Sequence, residues 1–182
     1  MGNPFRAVLL CLALAAATEI SAQQIVVYSV EGWPRMGPRP DGKLEANSFV
    51  FGVQRQALTG PSGGMRPGKL NVQDGVLSLP VGDPAVVFMR AALSGEHLKS
   101  VLIEFQKSTG DMRGPAPFAA RLTAVFVTAV NLSKSGGDGG PGIAEVRLQP
   151  QKIELFTTVI GPDGSTRPGA SLKYDVNVNK PL

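Results

Sequence analysis

Glycine and proline divide this chain into short apolar segments, and this spacing constrains the fold more than any single motif. Together they occupy 37 of 182 positions, well above the usual share of roughly 12%. They cluster between runs rich in valine, isoleucine and phenylalanine and form no repeat. Such a pattern is typical of a β protein with many turns, and it disfavours a disordered or collagen-like chain.

The longest apolar run, Phe118–Ser133, predicts a strand that is apolar on both faces. Leu122 falls on one face, whereas Val125, Val127 and Ala129 fall on the other. Because side chains alternate along a strand, both faces of such a strand must be covered. We therefore expect the helix, a loop or a neighbouring subunit to pack against its outer face.

The remaining apolar runs predict further strands with loops between them. These strands cover residues 25–31, 43–54, 69–79, 100–107, 144–155 and 172–178. Residues 56–68 are predicted to form a long loop. The parity of the apolar residues changes near Pro150, which predicts a β-bulge there. From Leu172 to Val178 apolar and polar residues alternate, which predicts a strand with one buried face.

One short helix is predicted between Asp83 and Gly95. Asp83 suits the N-cap, Pro84 the first helical position and Gly95 the C-terminal stop. Apolar residues recur at helical spacing between them and predict a face that packs on the sheet. That face comprises Ala85, Phe88, Met89, Ala92 and Leu93.

Short strands and a single helix together predict a mainly β fold. We expect a small antiparallel β-barrel of about eight strands with one short flanking helix. Residues 23–182 suit a single domain, since a chain of that length can bury about two-thirds of its surface. Cys11 is the only cysteine and precedes this domain, so we expect the domain to be stable without disulfides.

Residues 1–22 have the features of a signal peptide. Arg6 precedes an apolar run over residues 7–17 that is too short to span a bilayer, and the small residue Ala22 stands before Gln23. We expect export to the periplasm or the extracellular space, with no membrane attachment once the signal is removed. The alternative is an N-terminal anchor that stays uncleaved.

The residues suited to catalysis are few. His97 is the only histidine, so one chain cannot supply a catalytic triad or a two-histidine metal site. Folding could bring Asp74 near Asp83, or Glu145 near Glu154, but aromatic residues that stack on sugars are scarce. We predict that the protein is not an enzyme and that it has no cofactor and no catalytic, cofactor-binding or metal-binding residues.

Two glycine-rich segments resemble ligand-binding loops only in spacing. Residues 63–69 (GGMRPGK) match a Walker A motif, but Leu70 replaces the magnesium-binding hydroxyl residue and Pro67 removes an amide from the phosphate cradle. Asp138 offers one ligand where calcium requires several. The net charge of +4 includes no basic stripe, so we predict no nucleic-acid partner.

Six segments resemble the haemolysin-coregulated protein (Hcp) family, the tube and cargo proteins of type VI secretion. They span most of the chain from Ile25 to Ser165, and their order and spacing carry the resemblance. The segments are residues 46–54 (ANSFVFGVQ), 68–74 (GKLNVQD), 95–99 (GEHLK), 121–128 (RLTAVFVT), 144–148 (AEVRL) and 152–155 (KIEL).

The resemblance implies a β-barrel with one helix on its flank, six-fold rings that stack into a hollow tube, and no catalysis. The expected partners are therefore copies of the chain itself in a hexameric ring, with secretion-apparatus or effector proteins as further partners. The sequence departs from the family where an Asp usually lies four residues before a Ser-Pro at the helix start, since Gly82 and Ala85-Val86 occupy those places.

Tube proteins load from the cytoplasm and need no signal peptide, which is a second departure. We therefore hypothesise an exported relative that keeps the ring-forming barrel. A monomeric exported β-barrel module that binds a small ligand or glycan through its glycine-rich loops is the main alternative. A hydrolase that uses His97 with a carboxylate is the third class.

Overall fold

The computed structural model describes residues 24–33, 42–59, 63–107, 116–134 and 139–182. The predicted signal peptide, Cys11 and Asp138 lie outside these residues. The described residues form eleven strands and one α-helix. The elements are β1 (Gln24–Val30), β2 (Leu44–Ala46), β3 (Ser48–Val50), β4 (Val53–Thr59), β5 (Met65–Val72), β6 (Gly75–Pro80), α1 (Asp83–Ser94), β7 (Leu98–Lys107), β8 (Phe118–Ser133), β9 (Ile143–Ile160), β10 (Thr166–Asp175) and β11 (Lys180–Pro181).

The predicted fold class is confirmed, because the fold is mainly β, its strands pair antiparallel and it contains one short helix. The described strands outnumber the predicted eight, partly because three separate strands begin within the predicted strand over 43–54. Asn47 divides β2 from β3, and the chain passes Phe51 and Gly52 before β4. Each piece pairs with a different neighbour, so one apolar run serves three strand pairs.

The main strand pairings form a circuit that the chain itself closes at Asn47, since β2 and β3 do not pair with each other. β1 pairs with β7, β7 with β8, β8 with β9, and β9 with β6. β6 then pairs with β3, while β2 returns to β1. Asn47 joins β2 to β3, and its amide donates to the Ser78 carbonyl at 2.8 Å. The circuit therefore encloses an inner face, and the core lies there.

The core contains side chains from the circuit strands and from α1. Tyr28 contacts Phe88 with ring centroids 6.0 Å apart, and Trp33 contacts Phe88 at 4.7 Å. Burying each large apolar side chain contributes about 1.5–3 kcal/mol. The largest fully buried side chains are Tyr28, Phe88, Leu77, Leu79, Ile103, Leu122, Leu148, Val27, Val101, Val125 and Val146.

The apolar pattern on both faces of β8 has a cause within one protomer. Leu122 and Val125 are fully buried in the same core although their parity differs. Between them Ala124 has φ 51°, which turns the strand and reverses the parity of the inward residues. Val127 is also buried, and Ala129 is half-buried. Of the three covers that the sequence predicts, the helix is present, since α1 packs on β8; Val125 and Val127 lie in the protomer's own core, so their burial requires no neighbouring subunit.

The parity change in β9 is real, but its predicted bulge is not at Pro150. Thr123 pairs with Lys152 and Val125 with Pro150 in unbroken register. The register shift falls instead between Val127 and Ala129 of β8. β9 changes parity because it bends together with β8 opposite Ala124, so no extra residue is required.

Helix α1 begins at Asp83, so Asp83 is its first residue and the predicted N-cap assignment is wrong. Gly82 occupies the N-cap with extended backbone at φ 179° and no side-chain cap. The predicted stop is confirmed, since Gly95 adopts the left-handed conformation at φ 67°. The buried face consists of Ala85, Phe88 and Ala91.

The other predicted members of that helix face are less buried. Met89 and Ala92 are only half-buried, and Leu93 is 84% exposed. Including Leu93 in the buried face was therefore wrong. The helix packs on β8 through its small residues and Phe88, so the stripe that contains Leu93 points away from the sheet.

Strands β4 and β5 replace the predicted loop over 56–68 and form a two-stranded sheet of their own. The register shifts between Arg55 and Ala57, opposite residues 68 and 69 of β5, and the pairing resumes at Ala57 and Pro67. Every residue of β4 is exposed. This hairpin leaves the circuit at the β3 end and the Gly75 end of β6.

Strand β10 is confirmed as a strand, and its predicted buried face is buried only in part. Leu172 is 53% exposed and Val178 is 60% exposed, the latter in the turn between β10 and β11. Tyr174 is half-buried, and Val176, just beyond the end of β10, packs against the core. Among the described strands, β10 pairs with β9 and, near its end, with β11.

Candidate functional site

The structure gives His97 a packing position. Its side chain is exposed, and its ring lies on Phe126 with centroids 3.4 Å apart. No carboxylate hydrogen-bonds to it among the described residues. In the same described ranges, no group of three or more His, Cys, Asp or Glu side chains is placed to hold a metal ion.

The two acidic pairs singled out in the sequence do not come together. Asp74 and Asp83 flank the opposite ends of β6. Glu145 and Glu154 lie nine residues apart on β9, which corresponds to about 30 Å along a strand. General acid–base chemistry that needs two neighbouring carboxylates is therefore not available from either pair.

Glu154 belongs to a small charged network on the outer sheet. It accepts a hydrogen bond from Arg121 at 2.8 Å and lies 3.0 Å from the Lys173 amine. The hydrogen bond from Lys173 is the main cause that lowers the pKa of Glu154. In the β9–β10 turn, hydrogen bonds from Ser165 lower the pKa of Asp163. Both carboxylates have structural partners.

The Walker-like segment is a strand where phosphate binding needs a loop. Met65 pairs with Thr59 and Arg66 with Leu58 in the β4–β5 hairpin. Since strand β5 follows directly and no helix begins there, the backbone amides do not converge as a phosphate site requires. The interpretation that this motif does not bind nucleotides therefore agrees with the local backbone.

The most unusual feature of the protomer is its exposed apolar surface, which falls into three regions. We name them the hairpin surface, the α1 groove and the C-terminal surface. The hairpin surface comprises Val53, Leu58 and Met65; the α1 groove comprises Val81, Val86, Met89, Leu93 and Leu132; the C-terminal surface comprises Leu172, Val178 and Leu182. Extended apolar regions of this kind mark interaction sites.

The α1 groove is concave, whereas the hairpin surface projects. It runs between α1 and the end of β8, has a volume of about 560 Å³, and includes Arg90 as its one charged lining residue. Val86 is 68% exposed and Leu93 84% exposed along it. The groove opens at the Pro80 end of β6, and the hairpin leaves the Gly75 end.

The sequence pattern predicted the exposed apolar surface in the wrong part of the chain. It selected Val125, Val127 and Ala129, which pack within the protomer, and it assigned Leu93 to the core. A signal for the true outer stripe was present, because Val86 and Leu93 share a helical face opposite Phe88. Nothing in the apolar pattern alone tells which of two apolar stripes a helix buries.

The comparisons with known proteins agree on one family. The sequence matches the family model described as "Type VI secretion system effector, Hcp" over residues 38–156. The solved structure of a type six secretion system protein is similar with a TM-score of 0.77 and 14% identity, covering 88% of this chain and 100% of that one. No curated protein matches the sequence.

Two further solved structures share the fold. Hcp1 from Salmonella typhimurium is similar with a TM-score of 0.67 and 16% identity, covering 87% of this chain and 99% of its own. A type VI secretion system effector from Yersinia pestis has a TM-score of 0.58 and 16% identity, covering 83% and 99%. At such identities these likenesses establish the fold alone.

Proposed function

Because the chain belongs to the Hcp family of type VI secretion effectors, we propose that it is a non-enzymatic exported protein that assembles with copies of itself into a ring. Family membership supports the structural role. The separated carboxylates and the packing of His97 on Phe126 support the absence of catalysis. Secretion-apparatus or effector proteins are the further partners that a type VI role implies.

The β4–β5 hairpin is the observation that carries the assembly proposal. An isolated two-stranded sheet is marginally stable in water, and this one projects with every β4 residue exposed. Leu58 is 54% exposed and Met65 82% exposed. A hairpin with this composition gains stability when another surface covers it, and a second copy of the chain is the partner that the family membership favours.

A ring requires two different surfaces that fit each other, because each copy meets its neighbours head to tail. The hairpin surface, in the first half of the chain, and the C-terminal surface provide two such candidates. Six copies is the number that the family resemblance implies. The ring is thus proposed as a hexamer with these two surfaces at its contacts.

Light scattering coupled to size exclusion tests the ring. We expect a mass of about six protomers for the purified protein, and a shift towards single protomers in Leu58→Asp and Met65→Asp. Thr59→Asp, on the same hairpin but polar in the native chain, is the matched control and should keep the large particle. A monomer at high concentration in the native protein would overturn the ring.

Export is the second part of the proposal, and residues 1–22 are proposed as the cleaved signal that leaves residues 23–182 as one domain. Across the described ranges, no helix has the length and apolar character needed to span a membrane. Cell fractionation with mass spectrometry of the amino terminus tests this part. An uncleaved product in the cytoplasm contradicts it.

The alternative of a monomeric ligand-binding module also has a specific observation behind it. A cleft of about 430 Å³ with a mainly apolar lining lies beside the β9–β10 irregularity. Its lining residues are Phe156, Thr157, Thr158, Thr166, Arg167, Pro168, Gly169 and Ser171. The native mass separates the two functions, since a monomer that binds a glycan favours this cleft and a ring favours assembly.

A further inference from the structure

The outer face of α1 has the residue spacing of a helix–helix contact. Its exposed residues Asp83, Val86, Arg90 and Leu93 follow one another at intervals of three, four and three. That interval is the repeat of the seam along which two helices pack. Val86 and Leu93 are 68% and 84% exposed, so the seam has no partner within the described protomer.

The charges in this seam determine the direction in which a second helix can pack. Asp83 and Arg90 lie seven residues apart, or about 10 Å along the helix axis, which is too far for them to pair with each other. Neither forms an ion pair with another described residue. A parallel copy of α1 would place Asp83 opposite Asp83 and Arg90 opposite Arg90. An antiparallel copy places each opposite the other.

We propose that two copies of this chain pack α1 against α1, antiparallel, around a two-fold axis that passes between Val86 and Val87. In this register Arg90 lies opposite Asp83 of the partner subunit, and the symmetry makes the ion pair twice. Val86 lies beside its own counterpart at the axis. The charge pattern and the apolar pattern are satisfied by the same register, which is the strength of the assignment.

The α1 groove supplies the rest of the contact. The register that pairs Asp83 with Arg90 places Leu93 opposite residue 80 of the partner subunit, beside Val81 and just before the partner's helix begins. Val81 is 40% exposed and Leu132, on the facing wall of the groove, is 53% exposed. The groove of about 560 Å³ has room for the partner's Leu93 side chain between them.

This contact is distinct from the ring contact and goes beyond the proposed function. A ring joins unlike surfaces head to tail, whereas the helix contact joins the same surface of two copies. One helix face and a groove form a small interface, so the affinity should be modest and the assembly dependent on concentration. In a ring-forming protein the contact pairs protomers of two rings; without rings it produces a dimer.

Charge reversal tests the register. Sedimentation velocity over a concentration series measures the dissociation constant of the doubled particle. Asp83→Arg alone and Arg90→Asp alone each turn two attractions into two repulsions, and we expect each to raise that constant about tenfold or more. The double variant Asp83→Arg/Arg90→Asp restores the ion pairs with reversed sign, and its constant should return to within about threefold of the native value.

The size of the particle that each variant changes distinguishes the helix contact from the proposed ring contact. Helix variants should abolish only the doubling and leave the underlying ring or monomer, whereas the hairpin variants Leu58→Asp and Met65→Asp act on the ring. If single reversals leave doubling intact, or if the double variant fails to restore it, the helix contact is wrong. Loss of the ring alone leaves the helix contact standing.

A cross-link gives a second readout that does not depend on charge or folding of the reversal variants. In a Cys11→Ser background, Val86→Cys should form a disulfide-linked dimer in high yield under mild oxidation, because the axis brings the two residues together. Val178→Cys, similarly exposed at 60% but far from α1, is the control. Equal yields from the two variants would contradict the two-fold axis.

Discussion

The closed circuit of strands and the β4–β5 hairpin are built from similar residues but reach opposite outcomes. In the circuit, β8 is covered on its inner face from Ala119 to Val127, and α1 packs against it. In the hairpin, all of β4 is exposed and its only neighbour is β5. The comparison teaches that this chain contains a part that is stabilised by its own packing and a part whose apolar residues are exposed in the described protomer.

The test with the largest expected effect shortens one large apolar side chain to alanine in each region. Phe88→Ala empties a fully buried position and should lower the free energy of unfolding by about 3–5 kcal/mol. Leu58→Ala in the hairpin should change it by under about 0.5 kcal/mol. Urea unfolding of dilute protomers measures both. Similar losses would show that the hairpin packs on the core after all.

Tyr28 tests whether water is excluded from the core inside the strand circuit. Its side chain is fully buried and its hydroxyl has no hydrogen-bond partner among the described residues. Removing an unsatisfied buried hydroxyl relieves a cost of about 1–3 kcal/mol, so Tyr28→Phe should raise stability by about 1 kcal/mol. Tyr174→Phe is the control, because the Tyr174 hydroxyl donates to Asn179 and its loss should be neutral or destabilising.

The same residue predicts an alkaline limit. Burial raises the pKa of Tyr28 far above its ordinary value of 10.0, so the folded state holds the proton that the unfolded chain releases. Stability is therefore complete below about pH 10 and falls as the pH rises beyond it. The fall should be shallower in Tyr28→Phe by thermal unfolding at pH 9–11, and an unchanged slope would show that Tyr28 is solvated.

Ala124 sharpens the comparison, because the circuit requires a backbone conformation that alanine disfavours. At φ 51° a residue with a side chain is strained by about 1–2 kcal/mol. Glycine relieves this strain, but its larger conformational entropy in the unfolded chain cancels part of the gain. Ala124→Gly should thus raise the free energy of unfolding slightly, by about 0.5–1 kcal/mol. Ala120→Gly, fully buried in regular strand, should lower it. The same sign for both would remove the special role of Ala124.

The smallest effect is expected on the outer surface of the sheet, where β9 lies between β8 and β10. Glu154→Gln removes the partner of Arg121 and Lys173 and should cost under about 1 kcal/mol at pH 7, since the cluster is partly exposed. The lowered pKa of Glu154 means that this contribution is present above the ordinary pKa of about 4.3 and is lost as the pH falls through its folded value. Thermal unfolding at pH 7 and pH 3 measures the difference. A difference between native and variant that persists at pH 3 would contradict it.

The sequence predicts the fold class and most strand positions, because the strands are marked by local composition. Phe118–Ser133 was predicted with the bounds that β8 has, and the stop at Gly95 follows from a residue that tolerates a left-handed backbone. The hairpin was missed because Gly68 and Pro67 weaken the β signal, and pairing between β4 and β5 is needed to reveal it.

The candidate site was predicted less well, for a physical reason. Parity along β8 assumes a regular strand, and one positive φ at Ala124 turned Val125 inward. The exposure of Leu93 depends on which stripe of α1 meets β8, and that is decided by the fit of Phe88 and two alanines to the sheet. Tertiary packing decides both, and neighbouring residues in the sequence carry no record of it.

Strand β6 has a consequence for how the molecule is made. It takes one neighbour, β3, from earlier in the chain, and its other neighbour, β9, starts only at Ile143. When the polypeptide emerges from a ribosome or crosses a membrane through a translocation channel, the β6–β9 pairing therefore cannot form until the last quarter of the chain has emerged. The late pairing keeps the chain unfolded for transport. It also leaves an unpaired, aggregation-prone edge of β6 to which a chaperone can bind.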